Sequence, residues 1–488
     1  MTERVVVIGH GMVAGRFLTE LDGRQLDAEV TVLGDEPHPA YNRLLLAEAI
    51  RGRYDLDDLL LPASGGVRVE RSRSAVAIDR PGHRVIDDTG ATHRYDTLVL
   101  ATGAAPVFPT VHGLVGPEGL PLQGVTALRT WSDAERIRSA IGEGAVRRVV
   151  VAGGGLLGVE AACAMAAAGV EVTVVHRGRQ PLDRQLDATS GAVLGLALAD
   201  QGVRTCTGVR VAQVDRLHER IRQVRLSDTS VLPCDLLVVA TGVAPRAELA
   251  AAADLWVRHG VLVNDRMRTD DPSIYAIGDC AETAAGVQGL IGPGWQQAAV
   301  LADHLAARAG GRRGLRAVPP ADSGVVRLKA DGLDVVSMGR PCPDDFTPDG
   351  PRVLSLLDVH DRRSVRVAVE DGRIVGAVVV GDAKVAADLT IAFENRLPVP
   401  DDPAALLAAP LQDPVAAADV TELPAEAVVC RCNAVSKGTI CAAIEHGAVT
   451  ADAVALATRA TTGCGSCLSD VCRLLEAAPS EQKQKSVA

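Results

Sequence analysis

Short apolar runs, separated by stretches of helical character, recur through the first half of the chain. Six of them have the length of buried strands: Val5–Ile8, Val30–Leu33, Thr97–Ala101, Arg148–Ala152, Val172–Val175 and Leu236–Ala240. Continuous apolar runs are typical of strands buried on both faces, and intervening helices allow such strands to lie parallel. The pattern therefore predicts two α/β units, each a parallel sheet covered by helices.

The pattern changes between about residues 325 and 385. Short segments of alternating polarity, such as Val365–Val369 and Ile374–Val380, are joined by an Asp-Gly turn. Alternation with tight turns predicts a small antiparallel sheet. Beyond it, residues 396–427 are rich in Pro, Ala and Asp and predict a linker, while the polar residues 477–488 predict a disordered tail.

Composition narrows the class of protein. The 488 residues are enough for roughly three domains, and a formal net charge of −11 argues against a general nucleic-acid binder. The N-terminus lacks a basic segment followed by an apolar one, so no signal peptide is expected. The most apolar stretch, Val149–Val175, is interrupted by Glu160 and Glu171, so no membrane span is expected. Eleven cysteines without an export signal favour a reducing compartment, and we expect a cytoplasmic protein.

A glycine motif, G-H-G-M-V-A at residues 9–14, follows the first predicted strand directly. This is the spacing of a dinucleotide clamp, in which Gly9 permits a tight turn and Gly11 lets a pyrophosphate approach the backbone. Ala14, at the third glycine position, permits close helix–strand packing. The second strand ends in an acidic pair, and either Asp35 or Glu36 is placed for an adenosine ribose.

A second clamp, G-G-G-L-L-G at residues 153–158, follows another predicted strand. One such match can be only a tight turn, but two in strand–turn–helix context indicate two dinucleotide sites. The next strand ends in His176 and Arg177, without the carboxylate that NAD-selective sites usually offer. Arg177 suits a 2′-phosphate and favours NADPH. If Arg177 is only a solvated surface residue, the site accepts either cofactor.

Two further motifs complete the pattern. Ala101-Thr102-Gly103 and Ala240-Thr241-Gly242 each follow a strand, and a later segment reads Ile277-Gly278-Asp279. Together with the clamps they resemble the two-dinucleotide-domain flavoproteins of the glutathione-reductase-like superfamily. The resemblance implies that the first clamp holds FAD, with Asp279 on its ribityl chain, and that the second holds NAD(P)H. It also implies an FAD domain split by the nicotinamide domain.

The chain departs from the disulfide reductases of that superfamily in one respect. Those enzymes place a redox-active C-x4-C, or a single cysteine, just after the second strand, but this chain has no cysteine before Cys163. The resemblance therefore implies that no thiol adjoins the flavin and that electrons leave by another route.

Four cysteines near the end of the chain form two close pairs: Cys430 with Cys432, and Cys464 with Cys467. Such pairs suit a 2Fe–2S cluster, with structural zinc and buried free thiols as the alternatives. Cys441 and Cys472 are expected to be packing residues. The module resembles the bacterioferritin-associated-ferredoxin-like 2Fe–2S domain in V-C-R-C-N-A-V-S-K-G-T-I and T-T-G-C-G-S-C.

Over nearly its whole length the chain is similar to the N-terminal half of the large subunit of assimilatory NAD(P)H nitrite reductase. The similarity is carried by V-V-I-G-H-G-M-V-A, E-P-H-P-A-Y-N-R, D-R-Q-L-D and G-D-C-A-E. It implies that Arg43 contacts FAD and that Gly294–Gln297 bring a helix N-terminus to the flavin ring. The sirohaem-ligand patterns of that family, C-x5-C and C-x3-C, do not occur in the sequence. In this respect the chain resembles the electron-transfer subunit of assimilatory nitrate reductase.

These observations predict an oxidoreductase that passes electrons from NAD(P)H through FAD and a 2Fe–2S cluster to a terminal reductase, first of all the nitrate reductase catalytic subunit. The alternatives are a nitrite reductase subunit working with a separate sirohaem subunit, a ferredoxin or rubredoxin reductase, and an FAD-binding redox sensor. Hydride transfer to a flavin requires no acid or base side chain. Glu160 is a candidate for lining the flavin–nicotinamide contact, with helix packing as the alternative reading. A homodimer is compatible with the sequence.

The candidate residues fall into three sets. For FAD they are Gly9, Gly11, Met12, Ala14, Asp35, Glu36, Arg43, Val76, Thr102, Gly103, Gly278, Asp279, Trp295, Gln296 and Gln297. For NAD(P)H they are Gly153, Gly155, Leu156, Leu157, Gly158, Glu160, His176, Arg177, Thr241 and Gly242. For the cluster they are Cys430, Cys432, Cys464 and Cys467.

The predicted fold class is α/β, with two Rossmann-like dinucleotide-binding domains of the glutathione-reductase type, a small α+β domain and a small helical 2Fe–2S module. The predicted boundaries are 1–112 and 247–324 for the two parts of the FAD domain, 113–246 for the NAD(P)H domain, 325–395 for the α+β domain, 396–427 for the linker, 428–476 for the cluster module and 477–488 for the tail.

Overall fold

The structure is a computed structural model that describes residues 2–116, 120–308, 310, 324–328, 330–340, 342, 350–407, 420–430, 435–461 and 467–478. The chain divides into two compact units. Unit 1 comprises Met1–Arg43, Leu56–Pro106 and Val243–Asp322, and unit 2 comprises Leu44–Asp55, Val107–Gly242 and Ser323–Ala488.

The first segment of the chain, up to Pro106, supplies eight of the described strands and three helices. The strands are β1 (Glu3–Ile8), β2 (Ala28–Gly34), β3 (Val67–Arg71), β4 (Ala75–Asp79), β5 (Arg84–Asp87), β6 (Thr92–Arg94), β7 (Thr97–Leu100) and β8 (Ala104–Pro106). The helices are α1 (Met12–Gly23), α2 (Leu46–Ile50) and α3 (Leu56–Leu59).

The next two segments repeat this alternation. Between Val107 and Gly242 lie β9 (Val125–Ala127), α4 (Trp131–Gly142), β10 (Arg148–Ala152), α5 (Leu156–Ala167), β11 (Glu171–His176), α6 (Ala188–Asp200), β12 (Val203–Thr207), β13 (Val211–Leu217), β14 (Arg220–Leu226), β15 (Val231–Pro233) and β16 (Leu236–Val239). From Val243 they are β17 (Val243–Pro245), α7 (Glu248–Ala252), β18 (Val261–Leu262), β19 (Ile274–Ala276), β20 (Ala281–Glu282) and α8 (Ile291–Arg308).

The C-terminal segment is built differently. Its described elements are β21 (Val326–Arg327), β22 (Val335–Gly339), β23 (Arg352–Asp358), β24 (Arg363–Glu370), β25 (Arg373–Val380), α9 (Ala383–Glu394), β26 (Val428–Cys430), β27 (Val435–Ser436), α10 (Lys437–Glu445), α11 (Ala451–Thr458) and α12 (Leu468–Ala477).

Unit 1 is organised around a parallel sheet of strand order β19-β7-β1-β2-β3 in its described part. The three strands at its centre are short, apolar and buried, so both faces of the sheet must be covered. On one face α1 and α8 supply Phe17, Leu301 and Leu305, each fully buried. Because β19 comes from the segment after Val243, the sheet needs chain from both sides of the long insertion.

Unit 2 contains a parallel sheet of the same kind, with the strand order β12-β11-β10-β16-β9, and an antiparallel sheet β13-β14-β15 beside it. The predicted pair of α/β sheets is therefore confirmed. The predicted antiparallel sheet is confirmed as well, in the strand order β21-β22-β25-β24-β23 with α9 packed on it.

The first part of the segment predicted as a linker packs on the antiparallel sheet. Leu397, Val399 and Leu407 pack against the core of the antiparallel sheet, and Leu406 is 2% exposed there. These four apolar side chains cover the sheet, which composition alone did not indicate. Residues 408–419 lie outside the described residues, as do residues 479–488 of the predicted tail.

The cluster module consists of the short hairpin β26–β27 and the helices α10, α11 and α12, which pack on one another. Its small core is formed by Ile440, Val454 and Val471, each fully buried. The predicted small helical module is therefore confirmed.

No helix within the described ranges has the length and the apolar character that crossing a membrane requires.

Within unit 2, a buried ion pair joins the start of α6 to the antiparallel sheet β21-β22-β25-β24-β23. Arg366 on β24 donates to the carboxylate of Asp187 at 2.9 Å, and the two side chains are 7% and 0% exposed. Asp187 also caps α6, accepting from the backbone N–H of Ser190 at 3.1 Å. The Ser190 hydroxyl donates to the same carboxylate and lies 3.0 Å from the Ser364 hydroxyl. Each buried charge is therefore paired and hydrogen-bonded, as burial requires.

Arg366→Leu is expected to destabilise unit 2, because it leaves the Asp187 carboxylate buried and without its counterion. Removing one partner of a buried pair costs about 3 kcal/mol in the free energy of unfolding, which calorimetry detects as a lower unfolding temperature. Arg352→Leu, an exposed arginine on the neighbouring strand β23, is the matched control and should change little. An unfolding temperature equal to that of the control would contradict this expectation.

Candidate cofactor sites

The first clamp is shaped by the approach of Gly9 to the next strand. Gly9 has φ +104°, and a Cβ there would lie 2.2 Å from the carbonyl oxygen of Ala101. The Gly9 N–H donates to the Leu33 carbonyl at 2.8 Å, which holds the turn over the end of β2. Only glycine fits this position, for reasons of both backbone conformation and space.

Beyond this turn the site opens. Gly11 is the N-cap residue of α1 and carries no capping side chain, and a Cβ there would meet only the Arg43 guanidinium, at 3.6 Å. An open helix N-terminus beside a guanidinium is a suitable place for a diphosphate. Met12 and Ala14 lie in the first turn of α1 with their side chains buried, so they contribute backbone and packing to the site rather than exposed side chains.

The two acidic residues after β2 have different partners. Glu36 accepts from the Tyr41 hydroxyl at 2.6 Å and from Arg43 at 3.1 Å. Asp35 pairs with Arg246 at 2.7 Å, and its side chain is the more exposed of the two, 46% against 25%. Glu36 thus orients Arg43 beside the glycine turn.

Arg246, the partner of Asp35, also contacts Thr102, another residue predicted to bind FAD. The Thr102 hydroxyl donates to the Arg246 carbonyl at 2.7 Å, and Gly103, at φ +72°, follows it. Arg246 and Tyr41 were not singled out from the sequence, although Tyr41 lies in the stretch E-P-H-P-A-Y-N-R. Val76 lies on β4, in the antiparallel sheet β4–β5–β6, with its side chain 55% exposed.

The Gly278-Asp279 segment is held from the side of α8. Gln297, 2% exposed, accepts from the Gly278 N–H at 2.7 Å. Val13 fills the space next to both Gly278 and Gly294, where added Cβ atoms would lie 3.3 and 2.7 Å from it. Helix α8 begins at Ile291, so Gly294–Gln297 form its first turns rather than precede it.

Next to this segment lies an acid that sequence reasoning did not single out. Glu282 is 1% exposed, pairs with Arg258 and accepts from the N–H groups of His259 and Gly260. Burial opposes its ionisation, but these donors prevail and lower the pKa of Glu282 to about 2. Its role is to fix the loop after Asp279. Asp279 and Trp295 are half-buried, and Gln296 is exposed.

The second clamp repeats the first with a tighter fit. Gly153 has φ +124°, and a Cβ there would lie 2.2 Å from the Ala240 carbonyl. A Cβ on Gly158 would lie 2.0 Å from the Gly153 carbonyl, which explains glycine where the first clamp has Ala14. Gly155 caps α5 without a side chain, and a Cβ there would meet nothing within 4 Å. Leu156 and Leu157 form the first turn of α5, half-buried.

The rim of the second clamp, meaning the residues that directly follow β11, carries positive charge, whereas the rim of the first clamp, after β2, carries negative charge. Arg177, directly after β11, is exposed, and so is Arg179. His176 points inward instead, since its Nδ1 accepts from the Gly154 N–H at 3.1 Å. Thr241 is exposed and donates to the Val107 carbonyl at 2.8 Å, and Gly242 has φ +127°.

Glu160 is 8% exposed on α5, in a layer where α5 packs on α2. Glu48 of α2 is equally buried, and burial raises the pKa of its carboxyl. Burial, together with the carboxylates of Glu160 and Glu48, raises the pKa of the Cys163 thiol to about 12. Cys163 is therefore an unreactive packing thiol.

Two of the four predicted cluster cysteines fall within the described residues. Cys430 ends β26 and is fully buried, and Cys467 precedes α12 and is 2% exposed. The Thr461 N–H donates to the Cys467 sulfur at 3.2 Å, a bond typical of cluster thiolates. Cys432 and Cys464 lie outside the described residues. Cys441 and Cys472 are half-buried on α10 and α12.

Three family models match the chain. Residues 3–302 match the pyridine nucleotide-disulphide oxidoreductase model, residues 325–397 the rubredoxin NAD+ reductase C-terminal domain, and residues 428–477 the BFD-like [2Fe-2S] binding domain. The last match favours a 2Fe–2S cluster over zinc or free thiols.

Two curated relatives align with nearly the whole of this chain. The nitrite reductase [NAD(P)H] large subunit of Klebsiella oxytoca is 35% identical over 99% of this chain and 50% of its own length. The assimilatory nitrate reductase electron transfer subunit of Bacillus subtilis is 30% identical over 95% of this chain and 58% of its own length. The chain thus spans about half the length of the curated relatives it matches.

Among solved structures, the ferredoxin reductase for the CYP199A2 system from Rhodopseudomonas palustris is 26% identical, with a TM-score of 0.67 over 78% of this chain and 91% of its own. The predicted flavoprotein fold and the predicted cofactors FAD, NAD(P)H and 2Fe–2S are confirmed by these matches together. More than half of the chain follows a single family model, and the chain accordingly belongs to the pyridine nucleotide-disulphide oxidoreductase family as an NAD(P)H oxidoreductase with a 2Fe–2S domain.

Proposed function

We propose that this chain carries electrons from NAD(P)H through FAD and a 2Fe–2S cluster to a terminal reductase of nitrate or nitrite assimilation, in the first place a nitrate reductase catalytic subunit. The observation that carries the proposal is the presence, in one chain, of two glycine clamps with opposite rim charge and a buried cysteine module. Relatives from nitrite and nitrate reductases match over 99% and 95% of this chain. The cytoplasm is the proposed location, since a reducing compartment keeps the cysteines out of disulfides and able to bind a cluster.

We assign the first clamp to FAD. An open helix N-terminus at Gly11 and the guanidinium of Arg43 would hold the diphosphate. Asp35 would accept from the adenosine ribose beside its pairing with Arg246, since it directly follows β2 and is the more exposed acid. Glu36 is held by Tyr41 and Arg43. Gln297 fixes the Gly278 peptide and thereby places Asp279 for the ribityl chain.

We assign the second clamp to the nicotinamide cofactor. Gly155 leaves room for the diphosphate at the N-terminus of α5. Arg177 takes the position after β11 that Asp35 takes after β2, and it would pair with a 2′-phosphate. The site is thereby biased towards NADPH.

The bound groups supply the chemistry, because a flavin accepts a hydride from a nicotinamide and can release electrons singly to a cluster. The chain's own contribution is placement and insulation. Cys163 is buried and its pKa is raised, so it does not act as a redox thiol. Cys430 and Cys467 would anchor the cluster with Cys432 and Cys464.

A ferredoxin or rubredoxin reductase remains the second candidate. It is favoured by the match of residues 325–397 to the rubredoxin reductase C-terminal domain and by the solved ferredoxin reductase. Against it stands the cluster module within the same chain, which removes the need for a separate one-electron carrier.

Cys467→Ser should remove the cluster and leave FAD and NAD(P)H-driven ferricyanide reduction in place, because the flavin is assigned to a different part of the chain. Iron and acid-labile sulfide analysis, with the visible spectrum for FAD, measures both. The control is Cys472→Ser on α12, which should keep its iron. Loss of flavin reduction in Cys467→Ser would show that the order of electron transfer is wrong.

Arg177→Ala should raise KM for NADPH about tenfold, since one charge-assisted phosphate contact contributes on the order of 1.4 kcal/mol. KM for NADH should change by less than about twofold. Arg222→Ala, an exposed arginine on β14, is the control. Equal changes for both cofactors would mean that Arg177 does not recognise the 2′-phosphate.

Mixed with a molybdenum nitrate reductase catalytic subunit from the same cell, the protein should support NAD(P)H-dependent nitrate reduction, measured as nitrite formed. Cys467→Ser should abolish this while keeping ferricyanide reduction, because the cluster is the proposed exit for electrons. The isolated chain should not consume nitrite. Nitrate reduction at the same rate with Cys467→Ser would refute the route through the cluster.

A further inference from the structure

The two clamps differ by a reciprocal exchange of histidine and glycine. Strands β1 and β2 pair Ile8 with Leu33, and β10 and β11 pair Ala152 with Val175. From this register, each residue of the first clamp has a corresponding residue in the second. His10, between the first two glycines of the first clamp, then corresponds to Gly154. Gly34, at the end of β2, corresponds to His176.

Each exchange places one imidazole in the same position, between the glycine turn and the end of the second strand. A Cβ on Gly34 would lie 3.0 Å from the His10 Cβ, and a Cβ on Gly154 would lie 2.8 Å from the His176 Cγ. There is space for one ring and not for two. In the first clamp the ring comes from the turn itself, and its Nδ1 is buried without a hydrogen-bond partner.

In the second clamp the ring comes from the strand and binds the turn. The Gly154 N–H donates to His176 Nδ1, so that nitrogen must be unprotonated and the proton must lie on Nε2. Nε2 lies 3.2 Å from the Asp183 carboxylate but is not aimed at it well enough for a hydrogen bond. The Gly154 carbonyl accepts from the Leu182 N–H at 2.8 Å. Both backbone groups of Gly154 are therefore fixed by the segment that starts at His176.

We propose that His176 is a positioning residue that holds the second glycine turn in its cofactor-binding form, through the bond that its Nδ1 accepts from the Gly154 N–H. The proposal rests on the assignment of the second clamp to the nicotinamide cofactor. A side chain without an acceptor at this place would leave the Gly154 N–H without this bond, and the turn would be held less firmly.

The bond between His176 and Gly154 acts on the backbone that a diphosphate must approach, so its loss should weaken binding of the cofactor.

The test is the dissociation constant of NAD+ for the FAD-loaded protein at about pH 8, measured by calorimetry. The visible spectrum checks that FAD stays bound.

Two variants separate positioning from simple packing. His176→Asn keeps an acceptor near Nδ1, so its affinity for NAD+ should match wild type within about threefold. His176→Ala removes the acceptor and should bind NAD+ about fivefold to tenfold more weakly. His218→Asn, on an exposed turn of the same unit, should bind NAD+ like wild type.

The outcomes distinguish the role of His176 from the assignment of the second clamp. Gly155→Val fills the open space of the clamp and should abolish NAD+ binding; if it does not, the clamp is not the cofactor site. If Gly155→Val abolishes binding but His176→Ala binds NAD+ as tightly as wild type, the role of His176 is wrong. Binding by His176→Asn as weak as that of His176→Ala would overturn it as well.

Discussion

Both nucleotide clamps depend on one close approach, that of a glycine to the carbonyl of an alanine on the neighbouring strand. Gly9 lies against Ala101, and Gly153 lies against Ala240, so closely that a Cβ would stand 2.2 Å from either oxygen. The approach ties the glycine turn to the A-T-G motif, which the sequence presents about 90 residues later in both cases. With the two held together, the turn can carry a helix N-terminus above the sheet edge, where a diphosphate would sit.

On this shared backbone the two sites are distinguished by charge. Asp35 follows β2, and Arg177 follows β11, at the same register position of two equivalent sheets. The acids of the first site are engaged by Tyr41, Arg43 and Arg246, so their charge is balanced within the site. The arginine of the second site is exposed to solvent. Under the proposed assignment, a single backbone design would serve two nucleotides, and the residues outside the turn would distinguish them.

Much of this architecture could be predicted from local patterns. The strands of both parallel sheets are runs of β-branched residues, the glycine spacings are strict, and the helices begin directly after them, so sequence neighbours carry the information. What could not be predicted involves distant partners. Arg246 meets Asp35 across 211 positions, Arg366 meets Asp187 across the boundary between two domains, and the inward turn of His176 depends on a glycine 22 residues earlier. Likewise Leu406 looks like part of a linker until the sheet that it covers is known.

The ribbon formed by β8 and β17 also bears on how such a chain is assembled. Its strands pair antiparallel, with Pro106 opposite Val243, so the long segment between them leaves and rejoins unit 1 at one place. A segment whose two ends are already adjacent adds little chain-closure entropy to the host, whatever its length. The intervening residues 107–242 therefore behave, in topological terms, as a cassette: the host sheet could acquire, exchange or lose them through a single point of entry without altering its own strand order.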